Sequence, residues 1–318
     1  MSKLLEFFGI GPQMFSSEDE FRVISGDKGD SSIEEIRKLI DLTVPRPCGH
    51  KLIRIGRDNH SNRIIKDDGK YLIPDDLGGI YACFSPGVAN TKGFEDHLAE
   101  EYGIRSYMCD YSSNERNFAT PLIDDLQKFR KSWLDIQGKK NSISLQEWVT
   151  EEAPGDDDLL LQIDIEGAEY RNILDCNDQI LGRFRIIAME IHGLKFLQKK
   201  EFLRGIFRPF IEKICKNFTC VHAHANNNTT VWKADKDLEI PGVIELTFLR
   251  NDRFSDQDVE VHIPHPLDIV NSREKPPIFL HGPWSQNPVS LESKMTILQQ
   301  RLAWLERKME KLEKGSGT

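Results

Sequence analysis

Asp157-Asp158-Leu159-Leu160-Leu161-Gln162-Ile163-Asp164-Ile165-Glu166-Gly167-Ala168-Glu169-Tyr170 is the stretch on which the fold turns. From Leu159 to Ile165 the run is apolar, broken only by Gln162 and Asp164. It reads as a strand covered on both faces, because a half-exposed strand would alternate apolar and polar residues. An aspartate inside such a strand is costly to bury unless its charge is used or paired. Gly167 and Ala168 then leave room above the strand end, which makes Asp164 the first candidate for chemistry.

Similar runs lie on both sides. Ile80–Phe84 is an apolar run followed by Ser85-Pro86-Gly87. A helix pattern follows from about Thr91 to Tyr102 and is closed by Gly103. Ile104–Cys109 reads as a strand ending in Asp110. Downstream, Arg185–Ile191 is a strand ending near Glu190 and His192, and a long helix pattern spans about Leu197–Asn217. Cys220–Ala225 and Val243–Leu249 read as the last strands. Apolar strands separated by helices predict an α/β fold with a mainly parallel sheet. Ligands in such sheets bind beyond the carboxyl ends of the strands. The chemistry is therefore expected near 85–90, 110, 164–167 and 190–192. Gly87 lets backbone approach a ligand closely, and Asp110 lies 23 residues further on, where an acid can hold a ribose diol. One glycine in the turn is not a dinucleotide fingerprint, so a nicotinamide enzyme is disfavoured.

The composition is that of a soluble globular protein. Of 318 residues 39% are hydrophobic and 29% charged, and no run is long enough to span a membrane. The start, MSKLLEFFGIGPQ, is apolar but short, lacks a cleavage pattern, and reads as a short docked helix rather than a signal peptide. A net charge of −9 without a basic stripe argues against nucleic acid as the main partner. Six cysteines without a C-x-x-C pair read as reduced, buried residues of a cytoplasmic protein.

The chain divides into four parts. Residues 1–77 form an N-terminal extension, in which Ser32 and Glu35 have capping-box spacing and Ile33, Ile36, Leu39 and Ile40 share one helix face. Lys51 to Ile73, with Asp68-Gly69, reads as a turn-rich approach to the first core strand. Residues 78–270 are the α/β domain, and 271–288, rich in proline, read as a linker. Residues 289–314 carry a coiled-coil helix, because Leu291, Met295, Leu298, Leu302, Leu305, Met309 and Leu312 recur with alternating spacings of four and three. Leucine at d places Arg301 and Lys308 at g and Glu306 and Glu313 at e. Parallel strands then pair Arg301 with Glu306 and Lys308 with Glu313, whereas antiparallel strands set like charges together. Arg301-Leu302-Ala303-Trp304-Leu305-Glu306 resembles a short trimerisation motif, which favours a homotrimer over a dimer.

The Asp164-Ile165-Glu166-Gly167-Ala168-Glu169 segment resembles that of FkbM-type methyltransferases. Further pieces occur in order. Ser144-Leu145-Gln146-Glu147-Trp148 precedes the strand, and Glu190-Ile191-His192-Gly193 ends the next one. His222-Ala223-His224-Ala225-Asn226-Asn227, Glu245-Leu246-Thr247 and Pro264-His265-Pro266-Leu267-Asp268 follow. The likeness covers about 78–271, and the first turn departs from the Gly-x-Asn-x-Gly form of the family. It implies a Rossmann-like class I sheet with an antiparallel last strand, and transfer of a methyl group from S-adenosylmethionine to a hydroxyl of a sugar or glycan acceptor.

By that resemblance Gly87 abuts the cofactor, Glu95 on the following helix is a weaker contact, Asp110 accepts from the ribose, and Asp164 lies near the sulfonium. A histidine suits removal of the acceptor proton near neutral pH. His192 is the first choice as base, with His222 or His224 as the alternative. Asp164, Glu190 and His192 can converge at adjacent strand ends, and carboxylates with one imidazole would suit Mg²⁺ or Mn²⁺. Three residues from two strands are too few to assign metal ligands from sequence. Two other readings stand beside this one: a methyltransferase for an amine or carboxyl acceptor, and a non-catalytic oligomeric scaffold that keeps the fold.

Overall fold

The structure is a computed structural model that describes residues 3–10, 26–57, 69–136, 140–255, 261–284 and 289–315. Seven strands build its central sheet: β1 (Ala82–Pro86), β2 (Arg105–Cys109), β3 (Gln127–Arg130), β4 (Leu159–Ile163), β5 (Phe184–His192), β6 (Phe218–Ala225) and β7 (Val243–Arg250). Their spatial order is β6-β7-β5-β4-β1-β2-β3. From β5 to β3 all neighbours are parallel. β7 alone opposes both of its neighbours, β5 and β6. The chain is thus α/β with a mostly parallel mixed sheet, compatible with a Rossmann-like fold. Between β1 and β4 the strand order reverses, which opens a crevice at their carboxyl ends.

Helices α1 (Ile33–Ile40), α2 (Gly93–Tyr102), α3 (Leu145–Glu152), α4 (Glu169–Asp175), α5 (Arg208–Cys215) and α6 (Leu291–Gly315) complete the frame. Phe84, Leu161, Ile187 and Met189 project from one sheet face into a core with Trp148 of α3, Tyr170 of α4 and Phe210 of α5. Cys83, Leu160 and Ile186 project from the other face against Phe94 and Leu98 of α2. α3 begins with a reciprocal capping box: Ser144 Oγ accepts from Glu147 N, and the Glu147 carboxylate accepts from Ser144 N. All six cysteines are free, and five of them are buried.

Several elements differ from the sequence reading for identifiable reasons. β3 carries no apolar run, because it is a short edge strand covered mainly along one side. The helix pattern at 197–217 is broken into a 3₁₀ segment, Leu194–Gln198, a π turn, Leu203–Phe207, and α5. Pro209 has no N–H to give and its ring excludes the carbonyl of residue 205, so the preceding turn widens. Leu52–Ile55 and Tyr71–Pro74 pair as antiparallel strands, and Tyr71, Leu72 and Ile73 are buried. Thr247 Oγ1 on β7 donates to Leu72 O at 2.7 Å, which ties this ribbon to the sheet. Asp68, half of the expected turn, lies outside the described residues, as do the last residues of the tail, 316–318.

The described N-terminal residues belong to the same core. Phe8, Ile10, Ile36, Leu39 and Ile40 join the large cluster, and Ser32 Oγ caps α1 by accepting from Glu35 N. The segment read as a linker also packs over its described part: Phe279, Leu280 and Trp284 are buried, and Trp284 Nε1 donates to Thr43 Oγ1 at 2.9 Å. Proline richness stiffened this segment without freeing it, because its apolar residues have a core to enter.

α6 is one continuous helix, and its contact with the body is the reverse of an ordinary amphipathic helix. Ser293 and Thr296 are buried, Ser293 Oγ donates to Pro264 O, and Gln300 Nε2 donates to Asp268 O. These positions lie opposite the a/d seam. The seam residues themselves, Leu291, Met295, Leu298, Leu302, Leu305, Met309 and Leu312, are between 47% and 68% exposed. Among the described residues no helix is long and apolar enough to cross a membrane.

Candidate functional site

The crevice at the switch point is a cleft of about 430 Å³ lined by residues from the turns after β1, β2 and β4. At Gly87 the turns after β1 and β4 come together. The residue has φ +87°, its N–H donates to Cys109 O at 2.9 Å, and a Cβ there would stand 1.7 Å from the carbonyl oxygen of Asp164. Only glycine lets the turns after β1 and β4 approach this closely. The turn after β4 is itself tight: Glu166 and Gly167 both have positive φ, at 56° and 99°. Asp164 and Ile165 thereby line the cleft together with Gly87.

Asp110 also lines the cleft, and both of its oxygens are engaged. Oδ1 accepts from Ser112 N and Ser112 Oγ, each at 2.7 Å, and Oδ2 accepts from Ala89 N at 2.9 Å and Ser113 Oγ at 2.6 Å. Burial alone would raise this carboxyl, but the bonds from Ser113, Ser112 and Ala89 outweigh that and hold it below its ordinary value. Asp110 therefore locks the turn after β1 to the turn after β2 and gives the cleft a fixed negative charge.

Glu95 is placed elsewhere. It is buried on α2, where Ser85 Oγ bonds its carboxyl, and Ser85 also contacts Gln162, which reaches Tyr71 Oη. Glu95 does not line the cleft. The expected cofactor contact is an interior polar group, and burial pushes its carboxyl up to about 7.

His192, at the end of β5, stands among four carboxylates. Its Nδ1 meets Glu169 Oε1 at 3.2 Å. Its Nε2 lies 3.4 Å from Glu190 Oε1, 3.4 Å from Glu166 Oε2 and 3.8 Å from Asp164 Oδ1. Burial opposes a charge on the ring, yet Glu169 and then Glu190 outweigh it, and the imidazole is pushed up to about 11. Without a bound cation the ring therefore holds a proton more tightly than an ordinary histidine, which disfavours the expected role of His192 as base. Asp164, Glu190 and His192 offer ligand atoms that all lie within 4.8 Å of one another.

His222 and His224 sit apart from this cleft, on β6 at the sheet edge. His222 Nε2 bonds Asp268 Oδ1 at 2.9 Å, and His224 Nδ1 bonds Glu245 Oε2 at 3.3 Å. Asn226 donates to Glu190, Asn271 to Glu245, and Asn227 to the carbonyls of Ser272, Lys275 and Pro276. The His-x-His-x-Asn-Asn strand thus fastens the closing segment onto the sheet. His222 lines a separate cavity of about 410 Å³ with Arg46, Lys51, His262 and His265.

Trp133, Asp135 and Arg171 are cleft residues that escaped the sequence reading. Trp133 is 46% exposed and stacks near Tyr111 at a ring distance of 5.4 Å. Asp135 and Arg171 form a bidentate pair at 2.7 and 3.1 Å. Trp133 and Asp135 lie around a two-residue strand with no period to detect, and Arg171 resembles any charged helix position. Glu169 was quoted within the decisive segment, but its burial and its bond to His192 depend on the fold. Compared with models of protein families and with curated proteins, the chain matches no family model and no curated protein.

Proposed function

We propose that the chain is an S-adenosylmethionine-dependent O-methyltransferase acting on a hydroxyl of a sugar or glycan acceptor, and that it works in the cytoplasm. The observation that carries this reading is the Gly87 turn pressed against Asp164 at the switch point, with Asp110 fixed beside it. The FkbM-like segments at 164–169 and 190–193 fall on strand ends beside that point, and the antiparallel β7 agrees with the sheet that the resemblance implies.

The lining of the cleft fits the cofactor. A Cβ at Gly87 would collide with the Asp164 backbone and displace the turn that lines the cleft. Asp110, Asp135, Asp164 and Glu166 line the cleft, and its cation, Arg171, is already paired with Asp135. An acidic lining favours a positively charged sulfonium. Trp133 offers a flat apolar surface for an adenine ring. When bound, S-adenosylmethionine supplies an electrophilic methyl group. The chain's part is to align the acceptor oxygen with it. Asp164, a quarter exposed at its side chain, can accept a hydrogen bond from an acceptor hydroxyl. Glu169 fixes the His192 ring beside Asp164 and Glu190.

Calorimetry with S-adenosylhomocysteine tests this. Saturable binding that weakens at least tenfold in Trp133→Ala is expected. No heat of binding to the folded chain would remove the proposal. The reading also includes self-association through α6. Its polar face is seated on the body and its Leu/Met seam is exposed, so a second and third copy of the same seam are the proposed occupants. Clustered sites suit a polymeric acceptor.

A further inference from the structure

The arrangement around His192 has the spacing of a coordination shell. A hydrogen bond between nitrogen and oxygen spans about 2.7–3.2 Å. His192 Nε2 stands 3.4 Å from Glu190 Oε1, 3.4 Å from Glu166 Oε2 and 3.8 Å from Asp164 Oδ1. These separations are too long for good hydrogen bonds and fall close to the spacing of ligands on a common ion. Two donor atoms each about 2.1–2.2 Å from one cation stand roughly 3.0–3.6 Å apart.

The surroundings match the same pattern. A metal-bound histidine characteristically gives its other ring N–H to a carboxylate, which fixes the ring. His192 Nδ1 faces Glu169 Oε1 at 3.2 Å, and Glu169 is fully buried. The same oxygen of Glu169 accepts from Ile165 N at 2.9 Å, so the turn after β4 and the imidazole share one anchor. Its other oxygen, Oε2, is buried with no hydrogen-bond partner among the described residues. Glu190 is held in turn by Asn226 Nδ2 at 3.0 Å. Four carboxylates around one imidazole leave an excess of negative charge, and Asp164 and Glu166 open that charge to the cleft.

We infer that Asp164, Glu190 and His192 form a binding site for one divalent cation of the Mg²⁺/Mn²⁺ class, with Glu166 in reach as a further ligand and Glu169 as the partner that orients the histidine. Oxygen-rich donors with one imidazole exclude a thiolate-type zinc cage and suit a hard cation. Nδ1–H stays with Glu169, and the cation takes the place of the Nε2 proton, which leaves to solvent. The site itself is independent of the methyltransferase reading. Its use there, to bind the acceptor hydroxyl through an open coordination position beside Asp164, rests on that reading.

Mn²⁺ titration of the full chain, followed by the electron paramagnetic resonance of free Mn²⁺, tests the site. One Mn²⁺ per chain is expected, displaced by excess Mg²⁺, with spin-echo modulation from a coordinated imidazole nitrogen. Glu169→Gln, which removes no ligand, should weaken binding about 10–100-fold. His192→Gln should abolish the nitrogen modulation. If the folded chain takes up no stoichiometric Mn²⁺, or binds it without imidazole modulation, the inference is overturned. Mn²⁺ uptake without S-adenosylhomocysteine binding would keep the cation site and remove the methyltransferase reading. The opposite pattern would do the reverse.

Discussion

A Cβ placed on Gly87 would lie 1.7 Å from the carbonyl oxygen of Asp164. The obstacle is backbone, so no side-chain rotation relieves it. The residue also has φ +87°, a region that costs an L-residue roughly 1–2 kcal/mol. Overpacking adds about 1–3 kcal/mol. Gly87→Ala should therefore lower unfolding stability by at least about 2 kcal/mol, measured by denaturant unfolding. It should also abolish S-adenosylhomocysteine binding under conditions where the chain remains folded. Alanine tolerated with full binding would show that the two turns do not shape the cleft.

The same pair shows what a sequence can carry. Asp164 is visible because an acid interrupts an apolar strand, and Gly87 because a glycine follows one. Their collision distance is not visible, since it depends on the β1–β4 register. His192 was legible as a strand-end histidine, but its carboxylate surroundings were not, because Glu169 reaches it only through the fold. Trp133 and Arg171 were not legible as cleft residues at all. β3 went unread because an edge strand need not be apolar. The proline-rich stretch at 271–288 was read as a linker because composition does not reveal that Phe279, Leu280 and Trp284 enter the core.

Glu95 gives a pH signature. Its carboxyl is pushed up to about 7 by burial, above the ordinary value of 4.5. The folded state therefore holds this proton more tightly than the unfolded chain. The contribution is fully present below about pH 4.5 and is lost as pH rises through about 7. The shift corresponds to roughly 3 kcal/mol at most. Glu95→Gln keeps a neutral partner for Ser85 and cannot ionise. It should be more stable than the parent at pH 8, with the gap closing towards pH 4.5. Parallel stability curves from chemical denaturation at both pH values would refute the buried ionisation.

Asp268 separates a structural role for His222 from a functional one. Its carboxylate takes His222 Nε2 at 2.9 Å and the His265 N–H at 2.7 Å. Burial would raise it, but the charges of His222 and His224 hold it well below the usual carboxylate range. Its stabilisation is present above the unfolded value near 3.9 and is lost as pH falls below it. Asp268→Asn should cost about 3–5 kcal/mol above pH 5, as breaking a buried pair does. Affinity for S-adenosylhomocysteine should be unchanged where the chain is folded. A selective loss of that affinity would draw His222 back into the functional site.

The proposed association through the seam of α6 makes the sharpest physical prediction, because its residues are exposed in the single chain. Leu298 and Leu305 are 66% and 47% exposed in the single chain, so neither supports the monomer's core. Leu305→Glu should leave the thermal midpoint of the dilute chain unchanged. Sedimentation equilibrium should nevertheless fall from about three times the 36.6 kDa chain mass to a single chain. Each exposed pair between Arg301 and Glu306 is worth only ~0.2–1 kcal/mol, but the pair recurs at every interface of a ring. Arg301→Glu should therefore loosen the assembly measurably, and Arg301→Glu with Glu306→Arg should restore it if the strands are parallel. A parent chain that sediments as a monomer would sink the assembly. A reversal pair that fails to rescue would exclude parallel strands, because only that arrangement brings position 301 of one copy to position 306 of the next.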